Sequence, residues 1–176
     1  MDPELSNAAI EVAALLKASR RRLVLAESCT GGLVAASLVG VPGISDWLSG
    51  SAVVYRDDTK HRWLGVSETD LADPAITAVS ETVAKQMAEG ALRKTPEADF
   101  AAATTGHLGP GVADDVDGLV FIATARRDGE RITSRAEQVR LSSPSPESSA
   151  DQVRRVARQR EAALLALQMI RNALAG

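Results

Sequence analysis

At 176 residues, with a net charge of -3 and a pI near 5.4, the chain has the size of one domain and no general attraction for phosphate backbones. Only 3% of its residues are aromatic, too few for a stacking platform, so no nucleic-acid partner is expected. One cysteine, Cys29, excludes an internal disulfide framework and fits a reducing cytosol. No basic-then-apolar leader opens the chain and no apolar run approaches the ~18 residues of a membrane span, so a soluble cytoplasmic protein is expected.

Asp2-Pro3-Glu4 reads as a helix start, with Asp2 as N-cap and Pro3 at the first helical position. Leu5, Ala9, Val12, Leu15 and Leu16 then recur at helical spacing to about Ser19. The apolar run 23–26 reads as a strand, residues 28–32 break it, and residues 33–39 resume as a helix that Gly40 and Pro42-Gly43 stop. A second strand is predicted at 51–55, a short helix at 61–64, and a capping box at Ser67-Glu68-Thr69-Asp70. Ser80 caps a longer helix with Val83, Ala84, Met87, Ala88 and Ala91 on one face, ended by Thr95-Pro96. A third strand at 99–104 runs into a glycine-rich loop, Gly106 to Gly111. A fourth at 118–125 turns at Asp128-Gly129 into a fifth near 132–141. Residues 142–149 read as a loop and 151–174 as a closing helix. The arginine clusters at 20–22, 126–127 and 154–160 read as solvated helix ends and faces. Helices alternating with strands, then a hairpin and a helix, indicate an α/β fold: one three-layer α/β/α domain over 1–176 with a mixed, mostly parallel sheet.

In such sheets ligands bind where strand ends give way to loops, and two segments stand out there. The first is Ala26-Glu27-Ser28-Cys29-Thr30-Gly31-Gly32, between a strand and a helix. Ser28 can expose a hydroxyl there, and the free N–H groups of the helix start can hold an oxyanion or a phosphate. By spacing alone Ser28 or Thr30 is as readily a plain helix cap. The segment is neither a G-x-S-x-G elbow nor a Walker loop. Cys29 is the neighbouring thiol, and a free cysteine is more often a small buried residue than a nucleophile. A serine nucleophile needs a base. His61 and His107 are the only histidines and give no convincing pair, whereas Lys60 lies just past the second strand beside Tyr55. A partly desolvated lysine there would serve a Ser-Lys hydrolase. The second segment, Thr105-Gly106 through Gly109-Pro110, follows the next strand.

The ordered set resembles the CinA C-terminal domain family, the nicotinamide-nucleotide amidases. It comprises Ala26 to Gly32, Val41-Pro42-Gly43-Ile44-Ser45, Val54-Tyr55 with Lys60, Leu64-Gly65-Val66, Ala78-Val79-Ser80-Glu81, Met87 to Ala91, Thr105-Gly106 with Gly109-Pro110, and Gly118-Leu119-Val120. The resemblance implies deamidation of nicotinamide mononucleotide to nicotinic acid mononucleotide and ammonia, without metal or cofactor. It implies Ser28 as nucleophile, Lys60 as its base and Tyr55 as a group that orients or tunes Lys60. Thr30, Gly31 and Gly32 would hold the oxyanion or substrate, Thr105 and Gly106 would line the pocket, and an arginine among Arg154, Arg155 and Arg158 would meet the phosphate. It further implies a stand-alone form of the family, a homodimer or larger assembly, and a link to competence or damage-inducible proteins. Three stretches depart from the pattern. Ser49-Gly50 replaces an Arg-Gly, Asp115-Val116-Asp117-Gly118 replaces a Lys-Pro-Val-Gly, and Ser143-Pro144-Ser145-Pro146 stands where the family has Gly-Asp/Asn-Arg. These losses motivate an alternative expectation, a weak or inactive member that binds nucleotides or proteins. A third is an amidase for another small amide.

Overall fold

The computed structural model describes residues 2–142 and 151–176, so that of the loop expected at 142–149 all but Ser142 lies outside the described residues. Five strands form one sheet in the order β2-β1-β3-β4-β5, with β1 Leu23–Glu27, β2 Leu48–Val53, β3 Phe100–Gly106, β4 Leu119–Asp128 and β5 Arg131–Arg140. β2 and β3 flank β1 and run parallel to it. β4 is antiparallel to β3 and β5 to β4, so only β4 runs against the rest.

The central strands β1, β3 and β4 are buried on both faces, and their side chains alternate between two cores, while β2 and β5 at the sheet's edges are more exposed. Leu23, Leu25, Phe100, Ala102, Val120 and Ile122 pack against α1 (Pro3–Ser19), α2 (Leu33–Val39) and α6 (Asp151–Ala175). Val24, Ala26, Ala101, Ala103, Phe121 and Ala123 pack against α3 (Asp57–Leu64) and α5 (Glu81–Lys94), with the short α4 (Glu68–Ala72) alongside. This is the three-layer α/β/α arrangement. Alanines at 101–103 let helices approach β3 closely from both sides.

The helix starts follow local capping chemistry. Asp2 Oδ1 accepts from the Glu4 N–H at 2.9 Å, Ser67 Oγ from Asp70 at 3.2 Å, and Ser80 Oγ from Val83 at 3.2 Å. α3 begins at Asp57, earlier than the predicted 61, because Asp57 and Asp58 suit the positive first turn. β2 is displaced from the predicted 51–55, since its pairing with β1 runs from Leu48 opposite Leu23 to Val53 opposite Glu27. Tyr55 therefore leaves the sheet. Arg127, expected in solvent, instead caps the C-terminal end of α5: its guanidinium donates to the carbonyls of Leu92, Ala98 (3.1 Å) and Thr95 (3.5 Å).

No helix among the described residues is long and apolar enough to cross a membrane. α5 crosses α3 at Gly90, where a Cβ would overlap the Leu64 carbonyl oxygen and lie 2.9 Å from its carbon. Glycine inside an open helix costs ~1 kcal/mol relative to alanine, so Gly90→Ala would stabilise an unobstructed helix. Here the sign reverses: overpacking should cost about 3 kcal/mol. Thermal unfolding followed by circular dichroism should show a lower Tm for Gly90→Ala, and a raised Tm would contradict the crossing.

Candidate active site

Because β1, β2 and β3 are parallel and in register, Glu27 sits opposite Val53 on one side and Thr104 on the other. Three chain segments therefore leave the sheet at one end of these strands: Ser28 to Gly32, Val54 to Lys60, and His107 to Gly109, the last just after Thr105 and Gly106 close β3. Two backbone hydrogen bonds extend the ladder past the strand ends, Ser28 N–H to Thr104 O at 3.0 Å and Val54 N–H to Glu27 O at 2.8 Å. The N-terminal turns of α6 lie over the same end. Gln159 Nε2 donates to Thr30 O at 2.8 Å, and Arg155 donates to Gly109 O at 2.8 Å and to the Tyr55 hydroxyl at 2.7 Å.

Glu27 governs the turn. Its carboxylate, 1% exposed, accepts from Thr30 Oγ1 (2.7 Å), from the N–H groups of Gly32 (2.9 Å), Val34 (3.2 Å) and Ala35 (2.9 Å), and from Ser51 Oγ (3.3 Å). A strand-terminal glutamate thus turns back into the N-terminal end of α2, where the helix dipole and unpaired N–H groups favour an anion. Thr30 Oγ1 also lies 2.8 Å from Thr104 Oγ1. Since Thr30 gives its single proton to Glu27, Thr104 is the donor in that pair.

This network revises several expectations. The Gly32 N–H is taken by Glu27 and the Gly31 N–H by Ser28 O at 3.1 Å, so neither is open to an oxyanion. Thr30 is fully buried, its hydroxyl engaged and its carbonyl held by Gln159, so it supports the turn instead of facing a ligand. Gly31 is needed for space as well as conformation: at φ +61 a Cβ would lie 3.0 Å from Gln159 Nε2. Thr105 donates to Ala78 O at 2.8 Å, pinning the segment before α5 to the end of β3. Gly106 closes β3, where a Cβ would crowd Val120.

Lys60 is 2% exposed, and its Nζ donates to Asp57 Oδ1 at 3.0 Å and to Tyr55 O at 3.4 Å. Tyr55 therefore reaches Lys60 through its carbonyl, while its ring is 59% exposed and its hydroxyl bonds Arg155. No hydrogen bond joins Lys60 to Ser28 among the described residues. His61 Nδ1 lies 2.8 Å from Val66 O, two residues past the end of α3, and His107 contributes backbone bonds to Leu119 and Gly118. No group of three or more His, Cys, Asp or Glu among the described residues is arranged to hold a metal.

Of the α6 arginines, Arg158 is 6% exposed and paired bidentately with Asp117 at 2.6 and 2.9 Å. That pairing holds the Asp117 carboxyl below the usual carboxylate range. Arg158 is thus neutralised, against its expected role as a phosphate partner. Among the described residues Arg155 meets uncharged oxygens, and the buried Nε atoms of both Arg154 and Arg158 have no partner. The residues that sequence reading passed over were Glu27, Asp57, Asp117 and Gln159. Two had a signal: Asp57 is three residues before Lys60, and Gln159 is one helical turn past Arg155.

Residues 5–174 match the family model described as CinA C-terminal domain. The chain belongs to that family. It is 42% identical over 160 residues to a CinA-like protein of Gloeobacter violaceus, a match covering 90% of this chain but 35% of that one. It thus spans about a third of the length of such relatives. It is 40% identical over 136 residues to the nicotinamide-nucleotide amidohydrolase PncC of Escherichia coli (strain K12), covering 76% of this chain and 81% of that protein. The crystal structure of a competence/damage inducible protein from Agrobacterium tumefaciens superposes with a TM-score of 0.85 at 30% identity, covering 100% and 98% of the two chains.

Cys29 belongs to the core below α1 and α6. Burial pushes its thiol from 9.0 up to about 12; the Thr104 hydroxyl pulls the other way and the Glu27 charge pushes it up again. A thiol so placed is not a thiolate at neutral pH. Below pH 9 the folded and unfolded chains both keep the proton. Between pH 9 and about 12 only the unfolded chain releases it, so stability falls as pH rises through that window. Urea unfolding of wild type and Cys29→Ala from pH 8 to 11 should show the wild type losing stability faster. Parallel slopes would contradict the burial of the thiol.

Proposed function

We propose that the chain deamidates nicotinamide mononucleotide to nicotinic acid mononucleotide and ammonia, with Ser28 as nucleophile and Lys60 as its base. The observation that supports the reading is the shared register of β1, β2 and β3, whose neighbouring ends lead into the Ser28 turn and into α3 with its buried Lys60, next to the Thr105–Gly106 end of β3. The 40% identity to a nicotinamide-nucleotide amidohydrolase over 81% of its length supports it.

Lys60 first passes a proton to Asp57 or water and turns its neutral amine from Asp57 toward Ser28. Ser28 Oγ attacks the carboxamide carbon while its proton moves to Lys60 Nζ. The tetrahedral intermediate collapses as Lys60 gives that proton to the departing nitrogen, and ammonia leaves. Water then attacks the acyl-serine ester, losing a proton to Lys60, and Lys60 returns it to Ser28 Oγ as the acid departs. The reaction needs no redox partner. Among the described residues, the α6 arginines Arg155 and Arg154 make no ion pair and are the groups offered to the substrate phosphate, whereas Arg158 already has its carboxylate.

One observation favours a second reading, nucleotide binding without turnover: Lys60 is engaged with Asp57, and Ser28 Oγ makes no hydrogen bond among the described residues. Ammonia release from nicotinamide mononucleotide by the pure protein separates the two. Ser28→Ala and Lys60→Ala should each lower kcat/KM by roughly 10³-fold or more. Cys29→Ala should retain most activity. Wild-type turnover that survives Ser28→Ala would overturn the mechanism. Calorimetric binding with no ammonia would favour the second reading, and preferential hydrolysis of another small amide would move the substrate assignment.

A further inference from the structure

Glu27 lies one residue before Ser28, and among the described residues no cation pairs with it. An isolated buried carboxylate is costly unless every lone pair is used, and here five donors use them. Their origin is informative. Three are the opening N–H groups of α2, one is Ser51 on β2, and one is Thr30, which passes the contact on to Thr104 on β3. The carboxylate therefore ties its own strand to both neighbours at the edge where Ser28 emerges. Among the described residues Ser28 has only backbone restraints, its N–H on Thr104 O and its carbonyl under the Gly31 N–H. Thr104 is itself a member of the Glu27 network, and Gly31 lies between two others, Thr30 and Gly32.

We propose that Glu27 is a positioning residue for the reaction: through Thr30 and the α2 N–H groups it holds the 28–32 turn so that Ser28 stands fixed at the sheet edge. The proposal rests on the reading of Ser28 as nucleophile. It also means that α2 spends its positive end on a protein carboxylate, which leaves the phosphate to α6. A glutamate that only stabilised the helix would lower Tm when altered, without changing turnover or turn accessibility in the folded protein.

The test compares Glu27→Gln, Thr30→Val and Thr30→Ser with wild type, all well below their Tm values and with folding checked by circular dichroism. An amide at 27 cannot accept on both sides, so one α2 N–H faces an NH₂ group. Thr30→Val keeps the carboxylate and its backbone donors but removes the Thr30 hydroxyl that links it to Thr104, so it decides the matter if Glu27→Gln does not fold. Steady-state kinetics should show kcat falling roughly 10- to 100-fold with KM within about threefold, the cost of a misplaced nucleophile. Iodoacetamide should label Cys29, the single thiol and the residue next to Ser28, on the order of tenfold faster. Thr30→Ser should restore both. Unchanged kcat and an equally protected thiol in folded Thr30→Val and Glu27→Gln would overturn the proposal. If wild type releases no ammonia, the amidase reading fails, and the labelling rates still judge whether Glu27 holds the turn.

Discussion

A carboxylate buried against a helix start holds this sheet edge together. Water would solvate an anion such as Glu27 far better than an apolar interior does, so the chain must supply what water would. It supplies backbone N–H groups from α2, which would otherwise have no partner of their own. Each side resolves the other's deficit. The arrangement needs Gly31 and Gly32 at positive φ, because the backbone must fold back within a few residues for the α2 N–H groups to reach their own preceding strand. The Gly-Gly pair is thus explained by the glutamate before it, ahead of any ligand after it.

α6 then closes the edge from above. It is anchored in the core by Ala162, Ala163, Ala166, Leu167 and Ile170, small and medium side chains that let it lie close to α1 and the sheet. Its N-terminal turns carry long polar side chains over the strand ends. Gln159 grips the Thr30 carbonyl, Arg158 grips Asp117, and Arg155 bridges Gly109 and Tyr55. Breaking the Arg158–Asp117 pair would strand a buried charge, so that contact fixes the helix in place more than it attracts a ligand. The charge left over sits one residue and one turn earlier. Division of labour among neighbouring arginines follows from which of them has met a carboxylate.

Much of the fold was legible because it is written in local chemistry. Asp2-Pro3, Ser67 and Ser80 mark helix starts by capping, and Asp128-Gly129 marks the hairpin, each acting within a few residues. β2 was less legible because Leu48-Ser49-Gly50-Ser51 is not an apolar run; what makes it a strand is pairing with β1, a partner more than twenty residues away. The site divides the same way. The Ser28 turn, Lys60, and the Thr105–Gly106 segment could be named from order along the chain, since strand ends converge in parallel sheets. Their bonding partners could not. Thr105 meets Ala78, Tyr55 meets Arg155 and Arg158 meets Asp117 only through packing of distant elements. Arg127 failed for a related reason: a charged pair of arginines looks solvated until a helix end with open carbonyls is set beside it.

The neighbouring hydroxyl and thiol at 28 and 29 show how one turn separates two potential nucleophiles. Adjacent side chains on a tight turn diverge, and here Cys29 points into the core beneath α1 and α6. Desolvation there opposes ionisation, and the Glu27 charge opposes it further. Ser28 needs no ionised resting state, because a base can take its proton during attack. The same glutamate that builds the turn therefore discourages the thiolate and leaves the serine unaffected at rest. In the proposed reaction a lysine serves as that base from the next strand exit, and a cysteine at 28 would gain little from such surroundings. The anion at 27 thus bears on which chemistry the turn can carry as well as on its shape.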